Sequence, residues 1–222
     1  MDERYSRSLG AVTPEELAAL KAGRVLIAGC GGLGGWLSEL LCRSGVGDLV
    51  CADGDVFELS NLNRQHLCEE ALLGVSKARA AADRVAAIDP SCTAEAVCEF
   101  ITDENRARLV SGCAVALDAL DTAGDRLALA DECSRQGVPL VHGAIDGWSA
   151  QICVVTPGSG ILRRLYSDAE PASSPSLAYA AALCASIQAA ETVKLLCGRR
   201  SALENRLLCV DLRTMSFDII TP

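Results

Sequence analysis

The chain contains no Cys-x-x-Cys pair and only two histidines, His66 and His142. Its twelve cysteines are scattered from Cys30 to Cys209, a poor source of the four thiolate or imidazole ligands that a structural zinc needs. Basic residues are in deficit as well. Twenty lysines and arginines stand against 29 aspartates and glutamates, a formal net charge of −9, and a phosphate-rich partner requires the opposite field. Nucleic acid is therefore not the expected main ligand. No apolar core of a signal peptide follows the opening Met-Asp-Glu-Arg, so the thiols are expected to stay reduced and the protein to be cytoplasmic. The longest apolar stretch, 177–197, is interrupted by Ser186, Gln188, Glu191 and Lys194, which rules it out as a membrane span.

What is present is enough apolar material for a core. Half of the 222 residues are hydrophobic and 22% are charged, the composition and length of one globular domain. Short β-branched runs alternate with longer helical ones, with no internal repeat. Residues 24–29, 48–53, 92–100, 114–118 and 139–142 have the pattern of buried strands, and 33–44, 75–88 and 123–136 that of helices. This alternation predicts a Rossmann-like α/β fold with a doubly wound, mostly parallel sheet. Beyond residue 142 come a strand at 148–156, a Gly/Ser/Pro-rich loop at 157–175, a long helix at 177–197 and strands at 206–212 and 216–220. These are expected to extend the same sheet in antiparallel fashion. The expected organisation is thus one unit: a helical arm (1–22), a part built on the parallel strands (23–145) and a part with a further strand, a loop, the long helix and the C-terminal strands (146–222).

Gly29-Cys-Gly-Gly-Leu-Gly34 lies between a predicted strand and a predicted helix. Glycines there let the backbone turn tightly towards phosphate oxygens, and the helix N-terminus supplies free N–H donors. Asp53 ends the second strand, 19 residues beyond Gly34, where an acid accepts hydrogen bonds from ribose hydroxyls. A nicotinamide enzyme would stop there. This sequence adds Asp55, Asn61, Arg64, Gln65, Lys77 and the acids Asp118 and Asp121. Cations and a carboxylate-held Mg²⁺ suit an enzyme that breaks the α–β phosphate bond of ATP, because pyrophosphate departs with concentrated charge. Each residue taken alone also has an ordinary role: solvated cations for Arg64 and Lys77, a helix cap for Asp121, a strand cap for Asp118 and turn residues for Asn61 and Gln65.

Arg4-Tyr-Ser-Arg7, the glycine turn, Asp53-Gly-Asp55, Ser60-Asn-Leu-Asn-Arg-Gln65, the Lys77 segment and Ala119-Leu-Asp121 together resemble the ThiF/MoeB/HesA family. The resemblance runs from about residue 4 to residue 217. It implies ATP-dependent adenylation of the C-terminal glycine of a small ubiquitin-like sulfur-carrier protein ending in Gly-Gly. It further implies Asp53 on the ribose, Gly31, Gly32 and Gly34 at the phosphates, Arg64 and Lys77 as phosphate-binding cations, and Asp121 as the magnesium ligand. Asp55, Asn61 and Gln65 would shape the same pocket. Arg7 resembles an arginine that reaches across a homodimer into the partner's site. Where relatives carry the first of two zinc-binding Cys-x-x-Cys pairs, this chain has Gly160-Ile-Leu-Arg-Arg-Leu165, so no zinc is expected. Residues 157–176 also lack the nucleophilic cysteine of some relatives, and Cys184 lies in an apolar helix, where a core thiol is the expectation. The implied chemistry ends at the acyl-adenylate, with a downstream sulfurtransferase completing transfer.

Three alternatives stay open: adenylation of a modified tRNA base, suggested by Gly34-Gly-Trp36 and Asp118-Ala-Leu-Asp121, a non-catalytic carrier-binding subunit, and a hydride-transfer enzyme. His66 is expected to be a turn residue and His142 a satisfied strand-end side chain. Trp148 and Tyr166 are candidates for the carrier's tail or the core. The pairs Arg163/Arg164 and Arg199/Arg200 are expected to be solvated.

Overall fold

The run Val25-Leu-Ile-Ala28 is apolar on both faces because helices cover both sides of the strand it forms, β1 (Arg24–Ala28), and all four of these residues are buried. The structure, a computed structural model, describes residues 3–167 and 175–222. Around β1 lie β2 (Asp48–Ala52), β3 (Thr93–Val97), β4 (Val115–Asp118) and β5 (Leu140–Asp146), all parallel, in the order β3-β2-β1-β4-β5. The antiparallel strands β6 (Ser149–Val155), β7 (Leu207–Asp211) and β8 (Ser216–Ile220) complete an eight-stranded sheet. Among the described residues seven α-helices accompany it: α1 (Pro14–Ala22), α2 (Gly34–Ser44), α3 (Lys77–Ile88), α4 (Arg106–Val110), α5 (Ala123–Gln136), α6 (Ile161–Leu165) and α7 (Ala178–Leu196).

Alternate residues of each strand feed opposite cores. Ile27, Leu49, Leu117, Val141 and Ile152 pack with the apolar faces of α2, α3 and α7, and Leu26, Val50, Ala116, Leu140 and Cys153 pack with those of α4, α5 and α6. The strand order reverses between β1 and β4, and a crevice at such a point, at the carboxyl ends of the strands, is where doubly wound folds bind ligands.

The expected elements are present with shifted ends, each for a local reason. The helix expected from residue 75 begins at Lys77, because the Ser76 side chain caps it by accepting from Arg79 N. The strand expected to reach residue 100 ends at Val97, and β5 runs on to Asp146 because it turns directly into β6 through Gly147. Helices α4 and α6, of five residues each, are too short to leave a helical period. The loop expected at 157–175 thus contains α6, and its residues 168–174 lie outside the described residues. No described helix is long and apolar enough to cross a membrane.

Two of the arginines expected to be solvated are paired, Arg163 with Asp131 and Arg199 with Glu16. A stronger cluster ties α2 to α3. Glu39 receives Arg84 Nε at 2.7 Å and Arg43 Nε at 2.8 Å, with His66 Nε2 at 3.1 Å, and the His66 ring stacks on Trp36. His66 is therefore part of a polar staple rather than a simple turn residue. The Arg84 bond, ahead of those from Arg43 and His66, holds the Glu39 carboxyl down to about 2 from its ordinary 4.5. A carboxyl depressed in the folded state stabilises at pH values above its unfolded value, and that contribution is lost as pH falls through the folded one. We expect Glu39 to supply about 2–3 kcal/mol at neutral pH, lost between about pH 4.5 and 2. Urea titrations of wild type and Glu39→Gln at pH 7 and pH 3 check this; an unchanged gap at the two pH values would refute it.

Candidate active site

The turn after β1 is built around close backbone approach. A Cβ on Gly34 would stand 1.8 Å from the carbonyl oxygen of Gly29, so the first residue of α2 must be glycine. Gly29 has φ +92°, and a side chain there would meet the Ala119 carbonyl oxygen at 2.6 Å. The glycine turn and the segment 119–121 after β4 are therefore pressed together at the switch point. Gly31 faces the amide of Gln65, and the Arg64 stem lies over Gly32.

Asp53, just past β2, accepts from Cys30 N at 2.7 Å and from Asp55 N at 2.8 Å, one bond to each carboxylate oxygen. Burial raises its pKa in spite of these two bonds. Asp55 in turn holds Lys77 Nζ at 2.9 Å, with the Lys77 side chain almost wholly buried. Lys77 is the first residue of α3, where the helix dipole disfavours a cation. A buried lysine at that end stands against local preference, and Asp55 is the counter-charge that holds it there.

Arg64 Nη1 donates to Ser60 O at 3.0 Å and to Asn63 Oδ1 at 2.8 Å, so its guanidinium is steadied on its own turn. Asn61 is buried and caps that turn, its Oδ1 accepting from Glu58 N at 3.0 Å. Gln65 is buried too, and its Oε1 has no hydrogen-bond partner among the described residues. A glycine turn with Gln65 and the Arg64 stem against it, and with Asp53 and the Lys77–Asp55 pair after the neighbouring strand, is a cradle that a nucleotide triphosphate fits: Asp53 for ribose, N–H groups and cations for phosphate.

The two acids after β4 have opposite surroundings. Asp118 is wholly buried: Oδ1 accepts from Leu120 N at 3.1 Å, and Oδ2 from His142 Nδ1 at 2.7 Å, with Arg126 Nη1 at 3.4 Å. Burial pushes its carboxyl up, but the Arg126 charge and the His142 bond outweigh it and hold it below its ordinary value. Wholly buried and held by three partners, Asp118 is a fastener of the 119–121 turn. Asp121, three residues on, is exposed and makes no hydrogen bond or ion pair among the described residues. Of the two acids, it is the one whose carboxylate could hold a metal ion.

His142 is likewise wholly buried, and burial lowers its pKa against the pull of Asp118. Tyr166 donates to its Nε2 at 3.2 Å and accepts from Gln151 Nε2 at 2.9 Å, a chain of bonds that fits a neutral imidazole with its proton on Nδ1. Arg126, which binds Gly143 O at 2.7 Å, completes a network joining β4, β5, α5 and the end of α6. Arg126 is a functional-site neighbour with one signal in the sequence, a cation in the first turn of α5, misplaced against the dipole in the same way as Lys77. Trp148 is exposed and tilted against Tyr179 at 5.0 Å, so it is not a core residue. Cys184 is fully buried and its thiol is pushed up to about 12, the state of an inert core cysteine.

Arg7 is not brought to this edge. Its 3₁₀ turn (Glu3–Ser8) is anchored by Tyr5, whose hydroxyl donates to Asp89 Oδ2 at 2.7 Å, and by Arg4 on the same carboxylate. Asp89 follows the C-terminal end of α3 and Lys77 begins it, which puts the length of that helix, about 18 Å, between them. Among the described residues no group of three or more His, Cys, Asp or Glu is arranged to hold a metal.

Comparison with known proteins gives the family. The model of the ThiF family matches residues 5–222. The SAMP-activating enzyme E1 of Haloferax volcanii is 37% identical over 227 residues, covering 98% of this chain and 84% of that protein. The molybdopterin-synthase adenylyltransferase of Escherichia coli is 34% identical over 206 residues, covering 90% and 83%. The tRNA threonylcarbamoyladenosine dehydratase of Haemophilus influenzae is 31% identical over 144 residues, covering 63% and 55%. Among solved structures, E. coli MccB with ATP superposes with a TM-score of 0.85 at 20% identity, over 100% of this chain and 72% of that one, a likeness of fold. On the family match and on identities above 30% across nearly its whole length, the chain belongs to the ThiF family and is a nucleotidyltransferase.

Proposed function

We propose that this protein adenylates the C-terminal glycine of a small ubiquitin-like sulfur-carrier protein, using ATP and releasing pyrophosphate, for a sulfur-transfer pathway such as thiamin or molybdopterin synthesis. The observation that carries the reading is the set of groups at the switch point: the glycine turn with Gln65 and the Arg64 stem against it, Asp53, the Lys77–Asp55 pair and the exposed Asp121.

In the reaction a carboxylate oxygen of the carrier attacks the α-phosphorus of ATP. A carboxyl–phosphate bond forms, the bond from the α-phosphorus to its bridging oxygen breaks, and pyrophosphate leaves with the electron pair. The nucleophile is already ionised, so no general base is needed. The protein's task is to align two anions and to stabilise the departing charge. Asp53 orients the ribose, the N–H groups at the start of α2 hold phosphate oxygens, and Arg64 and Lys77 face the leaving group. Asp121 would hold a Mg²⁺ that neutralises charge on the bridging phosphates when bound. Arg7, remote from its own site, serves the site of a second copy, which makes the working form a homodimer. With Cys184 buried, sulfur transfer from the adenylate falls to a separate sulfurtransferase.

ATP–pyrophosphate exchange with Mg²⁺ tests the reading, run with carriers ending in Gly-Gly, with bulk tRNA and with neither. Exchange is expected only with a carrier. Stimulation by tRNA alone would replace the reading with the dehydratase-like one that the Haemophilus relative suggests, and ATP binding without exchange under any condition would leave a carrier-docking subunit.

A further inference from the structure

Phe100 is the most exposed of the eight aromatic residues, at 65%. The segment that carries it is nevertheless held firmly. Asn105 accepts from Thr102 N at 2.9 Å through Oδ1 and donates to the Phe100 carbonyl oxygen at 2.8 Å through Nδ2. The ring lies against the backbone of Gly54: a Cβ at that position would stand 2.6 Å from Phe100 Cγ and 2.7 Å from Cδ2. A fixed loop thus sets an apolar ring over the residue that follows the candidate ribose acid.

The direction of a nucleotide on such a sheet explains the placement. Phosphates lie at the glycine turn after β1 and the ribose at the acid after β2, so the base continues the same way, towards the end of β3. Asp53 N donates to Val97 O, the last residue of β3, at 3.0 Å, and Phe100 stands three residues beyond. We propose that Phe100 is the base platform of the site, its ring stacking on the adenine of ATP. Aromatic faces stack on bases with little regard to sequence, so Phe100 gives affinity for a nucleoside over a bare polyphosphate rather than a choice of adenine over guanine. Glycine at position 54 is what lets the ring lie that close.

The inference rests on the nucleotide reading of the site, and its test separates the two. Dissociation constants for ATP and for inorganic tripolyphosphate are measured on wild type, Phe100→Ala and Phe100→Tyr, with Mg²⁺ present. Phe100→Ala is expected to weaken ATP about 5- to 100-fold and to leave tripolyphosphate unchanged, with Phe100→Tyr restoring ATP affinity. As a direct probe, Phe100→Trp is expected to gain an emission that ATP quenches and tripolyphosphate does not. Unaltered ATP affinity in Phe100→Ala would overturn the platform, and so would an equal loss of both ligands, since the ring would then support the loop and not the base. Wild type that binds neither ligand would instead overturn the nucleotide site itself.

Discussion

Arg7→Ala is expected to lower carrier-dependent adenylation by about 10³- to 10⁵-fold, the usual worth of an arginine supplied across an interface in phosphoryl transfer, without shifting the melting temperature. The expectation of an unchanged fold follows from the anchoring. The 3₁₀ turn is fastened through Tyr5 and Arg4 to Asp89, and Arg7 itself is exposed. Loss of rate follows from place: about 18 Å of α3 separates the anchor at Asp89 from Lys77, so Arg7 cannot serve its own site. Mixing supplies the decisive control. A mixed dimer of Arg7→Ala and Lys77→Ala chains contains one site with both groups intact, so random exchange of subunits should restore about a quarter of the wild-type rate. Activity that stays at the level of the parent variants after exchange would show that Arg7 does not work in trans.

Much of the fold was legible because it is written in periodicities that tertiary context does not override. The apolar runs at β1 and β4, and the Ala-rich face of α3, could sit only in a sheet covered on both sides. The glycine turn was legible for a stronger reason, since Gly29 and Gly34 are fixed by steric contact and no other residue fits. The pair Lys77 and Asp55 could be placed on one edge by strand order alone, although their 2.9 Å contact could not be foreseen. What escaped was whatever depends on contacts between distant segments. Arg126 looked like any helical arginine until β5 placed Gly143 and His142 beside it. The Glu39 cluster draws on α2, α3 and the His66 turn at once, and no local pattern announces it. Phe100 was read as the end of a strand; only the Asn105 clamp shows it to be the tip of a loop.

Asp118 and Asp121 are the same side chain three positions apart on the 118–121 turn, and the structure assigns them opposite consequences. Asp121→Asn keeps the shape but removes the charge of an exposed carboxylate that makes no hydrogen bond or ion pair among the described residues. If that carboxylate holds the metal, the variant should lose about a hundred- to a thousand-fold in turnover, with ATP affinity changed far less and the melting temperature unmoved. Asp118→Asn acts on folding instead. It leaves the buried Arg126 guanidinium without its counter-charge, and breaking a buried pair from one side costs about 3–5 kcal/mol. The two variants are told apart by reading thermal melting alongside pyrophosphate exchange at several Mg²⁺ concentrations. Excess Mg²⁺ should recover part of the Asp121→Asn rate, because a weakened metal site fills by mass action, and should do nothing for Asp118→Asn. An Asp121→Asn enzyme with wild-type turnover at limiting Mg²⁺ would remove the metal from this carboxylate. The exposed acid would not fall back on the helix-cap role that its sequence position suggests, because Thr122 caps α5, its Oγ1 accepting from Asp125 N at 3.1 Å.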